Sequence, residues 1–294
     1  MDYPIDADVE DILNDSLTLL GGEPVSENEL IQYGPLKLTV APKVPTARSC
    51  TRFPLIFSSR ISNAASYQAN TLLADHLFSP SLLLAELIER NLLPAKGKTV
   101  LELGAGCALP SLLLATLAHD TPSLVVVTDY PDDTILSNLR SNVERNQEAF
   151  QPSCGVQWAP FEWGSDVSLV RSILPEGRRD GYDILILSDL LHFDRSHDVL
   201  ISSMISLLRH STDARAYIAA GSYTRPEVRE TFLRKVREAG LHVDSGSAEH
   251  SLTPARAAGD THAEWLGKLK VSGLDREQLS ARKAVCRYWT ARWA

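Results

Sequence analysis

Short apolar runs alternate with amphipathic segments through the middle of the chain, from about residue 99 to residue 245. The runs at 99–103, 124–128 and 183–187 are almost wholly apolar, as expected for strands buried on both faces of a parallel sheet. Segments with helical spacing separate them, so the pattern predicts an α/β fold with helices on both faces. The predicted strands are 99–103, 124–128, 156–158, 183–187, 216–220, 242–244 and 284–293, and the predicted helices are 110–118, 132–150, 167–174, 196–208 and 226–239.

The first part of the chain carries a different pattern. Residues 1–60 contain many prolines and glycines, which predicts an N-terminal extension without long regular elements. Within this extension, residues 9–20 have the spacing of an acidic amphipathic helix, and residues 32–40 resemble a short hairpin strand.

Helical spacing returns at 64–90, where a second helical piece begins at Pro80. The strands and helices of the sheet follow, and a polar stretch at 246–281 precedes the last strand. We therefore predict one domain over 61–294 that contains an insertion at 246–281.

A glycine turn follows the first predicted strand of the sheet, in the stretch V-L-E-L-G-A-G-C-A-L-P at 100–110. Gly104 and Gly106 let the backbone turn sharply and approach a ligand without a Cβ in the way. Asp129 ends the next strand, about 20 residues further on, which is the spacing of an acid that accepts both hydroxyls of a ribose. Ligands of open α/β sheets bind at the carboxyl ends of the strands, so the pattern predicts a cofactor that contains adenosine.

Two adenosine cofactors compete for this site, a nicotinamide dinucleotide and S-adenosylmethionine. The dinucleotide fingerprint needs a third glycine where this chain has Leu109, whose bulk opposes close packing of helix and strand. Glu102, just ahead of the turn, suits a cationic ligand, and S-adenosylmethionine carries a sulfonium and an ammonium but no phosphate. We therefore favour S-adenosylmethionine.

Two stretches, the first of which includes this turn, resemble the first motifs of the class I, seven-β-strand methyltransferases. They are VLELGAGCALPSL and VVVTDYPDDTILSNLRSNVERN, and FEWG at 161–164 and SDLLHF at 188–193 agree with them. Within that class the chain is similar to the protein methyltransferases that modify lysines and N-termini of translation elongation factors. Fungal members of this group are often labelled nicotinamide N-methyltransferases. The resemblance covers about residues 60–245 and the last strand.

The resemblance implies a Rossmann-like, doubly wound three-layer α/β/α fold, with a seven-stranded, mainly parallel sheet and an antiparallel final strand. Asp129 would bind the ribose, unless it only caps the next helix. Glu102 would orient the amino group of the cofactor, unless it serves a helix dipole or a salt bridge. Tyr130 and Trp163 would flank the adenine, unless they are packed aromatics. The other candidates for cofactor binding are Asn63, Gly104, Ala105, Gly106 and Ser188.

Two catalytic candidates lie on the substrate side of the predicted site. The resemblance implies that Asp189 begins a D-x-x-Tyr/Phe motif beside the methyl group and the incoming nitrogen. The aromatic position of that motif is His192 here, which is either a base for the attacking amine or a histidine at the start of a loop. The chain also has Ser62 where the family has a tryptophan before an Asn-Ala pair, so one wall of the pocket differs.

Composition and charge limit the classes of partner and the cellular compartment that we expect for this protein. A formal net charge of -8 argues against a nucleic-acid partner and suits a basic protein substrate. The four cysteines form no C-x-x-C pair, so we expect no metal site. The acidic first residues lack the pattern of a secretion signal, and no apolar run has the length of a membrane span. We expect a monomer in the cytoplasm, with the nucleus as a further compartment.

These features predict an S-adenosylmethionine-dependent N-methyltransferase that acts on a protein lysine or an N-terminal amine, with a translation factor as a candidate substrate. Two alternatives stay open. One is N- or O-methylation of a small molecule, such as nicotinamide or another metabolite. The other is a catalytically silent cofactor-binding module, which the changes at Ser62 and His192 motivate.

Overall fold

A mixed seven-stranded sheet forms the centre of the structure, a computed structural model that describes residues 30–41, 77–245 and 264–294. The strands are β1 (Ile31–Tyr33), β2 (Leu36–Leu38), β3 (Thr99–Leu103), β4 (Leu124–Asp129), β5 (Gly155–Pro160), β6 (Ile184–Ser188), β7 (Arg215–Gly221), β8 (Leu241–Ser245) and β9 (Cys286–Trp293). The helices are α1 (Ser79–Glu89), α2 (Leu109–Thr116), α3 (Asp133–Arg145), α4 (Ser168–Ser172), α5 (His197–Leu207), α6 (Pro226–Glu238) and α7 (Arg276–Ala284).

The strands of the sheet are ordered β5-β4-β3-β6-β7-β9-β8. Neighbours from β5 to β7 are parallel, and β9 is antiparallel to both β7 and β8. The chain runs outward from β3 to β5 and then returns to place β6 on the other side of β3. This order confirms the predicted Rossmann-like, doubly wound sheet with an antiparallel final strand. It also opens a crevice at the carboxyl ends of β3 and β6.

Alternate side chains of the central strands enter two separate hydrophobic cores. Val100 and Ile184 belong to a core with α1, α2 and α3, whereas Leu101 and Leu185 belong to a core with α4, α5 and α6. Every residue of β3, β4 and β6 is buried, because helices cover the sheet on both sides. The predicted three-layer α/β/α arrangement is thereby confirmed.

The β1–β2 hairpin is joined to α3 by asparagines spaced one helical turn apart. The side chains of Asn138 and Asn142 donate to the Thr39 carbonyl at 2.9 and 2.7 Å, and Asn142 accepts from the Thr39 amide at 2.9 Å. Asn146, one turn further on, accepts from the Lys37 amide at 2.8 Å and donates to the Lys37 carbonyl at 2.9 Å. The predicted hairpin is therefore present, and these side chains satisfy backbone groups of Lys37 and Thr39. On the β1 side, the Gly34 amide donates to the Lys270 carbonyl at 2.9 Å and the Ser272 amide donates to the Gln32 carbonyl at 2.8 Å.

Helix α7 lies mostly within the segment 246–281, which the sequence predicts as a polar insertion. A capping box begins it, because Asp275 accepts from the Gln278 amide at 2.9 Å while the Gln278 side chain accepts from the Asp275 amide at 2.8 Å. Near its end, Lys283 forms an ion pair of 2.9 Å with the fully buried Glu86 of α1. The last part of this segment is therefore packed on the core, while the domain boundaries themselves stay predictions.

Several predicted element boundaries are wrong, among them those of the final strand, α3 and α4. Helix α7 continues through Ala284, so the final strand begins at Cys286 rather than at residue 284. Helix α3 ends at Arg145 rather than at residue 150, because Asn146 turns to bond the hairpin and a short 3-10 helix follows. Helix α4 is shorter than the predicted 167–174.

Three parts of the predicted pattern lie outside the described residues. They are the acidic helix at 9–20, the helical pattern at 64–76 and the cofactor-binding candidate Asn63. Across the three described ranges, every helix is too short or too polar to cross a lipid bilayer.

Candidate functional site

A cavity of about 190 Å³ lies at the carboxyl ends of β3, β4, β5 and β6, in the crevice that the strand order opens. Most of the predicted site residues line it. Glu102 lies behind the cavity wall, and Asn63 lies outside the described residues. The predicted residues that the fold brings together are Gly104, Ala105, Gly106, Asp129, Tyr130, Trp163, Ser188, Asp189 and His192.

The turn after β3 carries two glycines in the left-handed region of backbone space, with φ of +59° at Gly104 and +54° at Gly106. A Cβ at Gly104 would lie 2.7 Å from Leu190 and 3.1 Å from Trp163, whereas a Cβ at Gly106 would meet no atom within 4 Å. The Ala105 amide donates to a carbonyl of β4 at 2.9 Å, which fixes the turn. Gly106 therefore leaves bare backbone in the cavity wall, and Gly104 allows two side chains to close over the turn.

Asp129, at the end of β4, joins the glycine turn to the cavity wall. Its carboxylate accepts from the amides of Gly106 and Tyr130, both at 2.7 Å. Burial raises the pKa of Asp129 to about 6, and the two amide hydrogen bonds oppose that rise. The alternative role as a helix cap falls to Asp132, whose carboxylate accepts from the first amides of α3. Asp129 is therefore a mostly charged acceptor at neutral pH, next to bare backbone.

Glu102 lies behind the turn, under the first turn of α2. Its side chain is fully buried, and one carboxyl oxygen accepts from the Ser111 amide at 3.3 Å. The other oxygen, Oε1, makes no hydrogen bond with any residue that the structure describes. Burial raises the pKa of Glu102 to about 8, and the charge of Asp129 adds to the rise. The contact with α2 matches the helix-dipole alternative, and the role toward the amino group of the cofactor stays a prediction.

Aromatic side chains cover the cavity wall next to Asp129. Tyr130 follows it directly, and Phe161 and Trp163 follow β5. The ring of Trp163 packs edge-on against the ring of Phe193, with a centroid separation of 5.7 Å. An aromatic wall beside a carboxylate is suited to a purine base whose sugar meets that carboxylate.

The carboxylate of Asp189 lies at the opposite end of the cavity, directly after β6. It accepts hydrogen bonds from the Tyr223 hydroxyl and, at 3.3 Å, from the Gly221 amide. The residue is 3% exposed and has a φ of +61°. Burial of a carboxylate and a left-handed backbone conformation both cost free energy, and such positions are typical of functional sites.

Ser188 and His192 complete this end of the cavity. The Ser188 hydroxyl lies 2.9 Å from the Ser81 hydroxyl of α1, and the His192 ring lies 4.0 Å from the Phe193 ring between centroids. Among the described residues, no three His, Cys, Asp or Glu side chains are arranged to hold a metal ion.

Further residues line the cavity that were not predicted as site residues, although four of them lie in the motifs FEWG and SDLLHF. Phe161 and Glu162 adjoin Trp163 after β5, so the rule that ligands meet strand ends could have found them. The α1 residues precede the sheet and carry no spacing signal. The additional lining residues are Phe78, Ser81, Phe161, Glu162, Leu190, Phe193, Ser196 and Val199.

A sequence model of one protein family, described as Lysine methyltransferase, matches residues 66–239. The match covers more than half of the chain and includes the glycine turn, Asp129 and Asp189. The chain belongs to this lysine methyltransferase family. Membership confirms the class I methyltransferase resemblance that the motifs indicate, and the seven-stranded sheet is the fold that this resemblance implies.

Three curated fungal relatives of this chain carry the same protein name. The chain is 37% identical over 182 residues to the "Protein N-terminal and lysine N-methyltransferase EFM7" of Gibberella zeae, which covers 58% of this chain and 67% of the relative. The protein of the same name from Emericella nidulans is 35% identical over 43% of this chain and 49% of its own length. That from Schizosaccharomyces pombe is 34% identical over 51% of this chain and 56% of its own length. The chain thus spans about half to two thirds of these curated relatives.

Proposed function

We propose that this protein transfers the methyl group of S-adenosylmethionine to an amine of a protein substrate, either a lysine side chain or an N-terminal amine. The observation that carries the proposal is the shared cavity. Its one end holds the unit formed by Asp129 and the bare turn at Gly106, and its other end holds the Asp189 carboxylate. The curated names of the fungal relatives support a protein amine as the acceptor.

Three features at the Asp129 end of the cavity fit S-adenosylmethionine. The space above Gly106 is free of atoms within 4 Å of a Cβ position, so a ligand can lie against the backbone. Asp129 supplies a charged acceptor for two ribose hydroxyls, and Tyr130 and Trp163 supply an aromatic wall for the adenine.

When bound, S-adenosylmethionine supplies a methyl group on a good leaving group, so the protein needs mainly to align and desolvate the attacking amine. Asp189 would hold the incoming ammonium by a charge-assisted hydrogen bond. His192 lines the same cavity, and its imidazole is a side chain that can act as the base that removes the proton. Phe193 and Trp163 would limit the access of water.

Within this function, a translation factor is the substrate that we would test first. The motifs resemble those of the elongation-factor methyltransferases, and the net charge of -8 favours a basic, lysine-rich partner. The partner would approach the carboxyl ends of the strands, where the cavity opens.

The proposal is tested with the purified protein and S-adenosylmethionine labelled on its methyl group. The label is offered three acceptor pools: purified translation factors, a fungal lysate, and the small molecules filtered from that lysate. We expect label in a protein band, and mass spectrometry should map it to a lysine or an N-terminal amine. Label confined to small molecules would favour a metabolite methyltransferase. Calorimetric binding of the cofactor without transfer to any pool would favour a silent module.

A further inference from the structure

Three hydrogen bonds from β7 and the turn after it hold Asp189. Its backbone amide donates to the Ala219 carbonyl at 2.8 Å, and its carboxylate accepts from the Gly221 amide at 3.3 Å and from the Tyr223 hydroxyl. A residue other than glycine keeps a φ of +61° only where its surroundings impose it. The end of β7 therefore fixes both the backbone and the side chain of Asp189.

Gly221 makes room for Tyr223 in this arrangement. A Cβ at Gly221 would lie 2.1 Å from the ring carbon Cε1 of Tyr223, so the ring lies directly against the glycine backbone. The amide of Thr224 donates to the Gly221 carbonyl at 3.2 Å, and the Ser222 amide donates to the carbonyl before β9 at 2.6 Å. The tyrosine hydroxyl thus reaches Asp189 from a hydrogen-bonded turn whose shape depends on a glycine.

We infer that Tyr223 is a positioning residue for methyl transfer, whose hydroxyl holds the Asp189 carboxylate where the incoming amine meets it. Tyr223 is outside the cavity lining, so it acts through Asp189. Each carboxylate oxygen has two lone-pair sites, so the oxygens bonded to Tyr223 and Gly221 can both accept a further hydrogen bond from an amine. This role rests on the proposed function, because a fixed carboxylate accelerates transfer only if it aligns a nucleophile.

The first test is Tyr223→Phe, which removes the hydroxyl and keeps the ring. We expect kcat for methyl transfer to fall about tenfold or more, because a misplaced aligning group costs rate. The Kd for S-adenosylmethionine should stay within about twofold, because the cofactor end of the cavity is unchanged. A fall in cofactor affinity that matches the fall in kcat would overturn the inference.

Tyr182→Phe is a matched control for this change. The Tyr182 hydroxyl is also buried and donates to the Val170 carbonyl at 2.7 Å, away from the cavity. Its removal should lower the free energy of unfolding without lowering kcat. Equal kcat values for the two tyrosine variants would show that Tyr223 contributes only to stability.

A double-mutant cycle tests whether Tyr223 acts through Asp189. In an Asp189→Asn background, adding Tyr223→Phe should change kcat by less than about twofold, because the group that Tyr223 positions is already altered. Losses that multiply in the double variant would overturn the inference.

Gly221→Ala provides an independent route to the same result. The new methyl group displaces the Tyr223 ring but leaves its hydroxyl in the chain, and kcat should fall as it does in Tyr223→Phe. A wild type that transfers no label would overturn the proposed function together with this role. An active wild type whose kcat is insensitive to both Tyr223→Phe and Gly221→Ala would overturn only the role of Tyr223.

Discussion

The carboxylate of Asp129 lies 2.7 Å from the amide nitrogen of Gly106, so the acid that ends β4 and the bare turn after β3 form one unit. A ligand on the turn must therefore meet this carboxylate. We expect Asp129→Ala to weaken the affinity for S-adenosylmethionine roughly 100-fold, because two ribose hydroxyls would each lose a charged acceptor. Isothermal titration calorimetry measures this change directly.

Asp132→Ala is the control for that substitution. Asp132 lies in the same loop, but its carboxylate caps α3. Its removal should cost about 1 kcal/mol of stability and leave the cofactor affinity unchanged. An unchanged affinity in Asp129→Ala would instead contradict the ribose assignment.

The affinity for the cofactor should depend on pH in mild acid. Burial raises the pKa of Asp129 to about 6, so its carboxyl becomes neutral as the pH falls through that value. A neutral carboxyl is a weaker acceptor, and the Kd for S-adenosylmethionine should rise as the pH is lowered from about 7 to about 5. Calorimetric titrations across this range should show the slope in the wild type and lose it in Asp129→Asn. The same slope in that variant would assign the effect to another group.

Gly104→Ala tests the close approach of side chains over the turn. The Cβ would meet Leu190 at 2.7 Å and Trp163 at 3.1 Å in addition to occupying a left-handed φ. We expect a loss of about 3 kcal/mol in the free energy of unfolding, the sum of backbone strain and overpacking. Gly97→Ala separates the two effects, because Gly97 has a φ of +69° with no atom within 4 Å of its Cβ position. Gly97→Ala should lose only about 1 kcal/mol of the free energy of unfolding. Equal losses for Gly97→Ala and Gly104→Ala in urea unfolding would contradict a packing contribution at Gly104.

Glu102 should make the fold less stable as the pH rises. Burial raises the pKa of this carboxyl to about 8, above its usual value of 4.5, so between these values the folded protein keeps a proton that the unfolded chain has released. Stability therefore falls as the pH increases through this range. The glutamine side chain of Glu102→Gln cannot ionise. The free energy of unfolding of this variant minus that of the wild type should therefore increase between about pH 5 and pH 8. Parallel pH profiles in urea unfolding would rule out this contribution.

Asn142 should control the docking of the hairpin on α3. Its side chain accepts from the Thr39 amide and donates to the Thr39 carbonyl, so Asn142→Ala removes the acceptor of the amide and leaves the carbonyl to Asn138. We expect a loss of about 3 kcal/mol and faster amide exchange over Ile31–Leu38. The exposed neighbour Ser141, changed to Ala, should do neither. Unaltered exchange in Asn142→Ala would show that the hairpin is held by its apolar contacts alone.

The sheet and the cofactor end of the site could be predicted from the sequence because both depend on local patterns. Buried parallel strands are continuous apolar runs, and β3, β4 and β6 are buried along their whole length. The glycine turn and Asp129 follow from the rule that ligands meet the ends of such strands. Helix α7 could also have been predicted, because Asp275 and Gln278 have the spacing of a capping box. The polar composition of this segment indicates an insertion instead.

Contacts between distant parts of the chain could not be predicted in this way. The Tyr223 hydroxyl reaches Asp189 only because β7 lies beside β6 and a glycine clears the space. The asparagines of α3 look like ordinary polar residues of an exposed helical face until the hairpin is placed on them. The contact of Glu102 with α2 also depends on the tertiary fold: side chains alternate along a strand, so Glu102 shares the face of Val100 and lies under α2.

The position of β9 between β7 and β8 has a consequence for biosynthesis. Both of its neighbours precede it in the chain, and β8 pairs with β9 rather than with β7. A nascent chain that has already emerged as far as Ser245 therefore carries an open sheet edge at β7 and a strand with no place to dock. Chaperone protection would be most valuable in this interval, and the last two strands should be gained together once Cys286–Trp293 has been made.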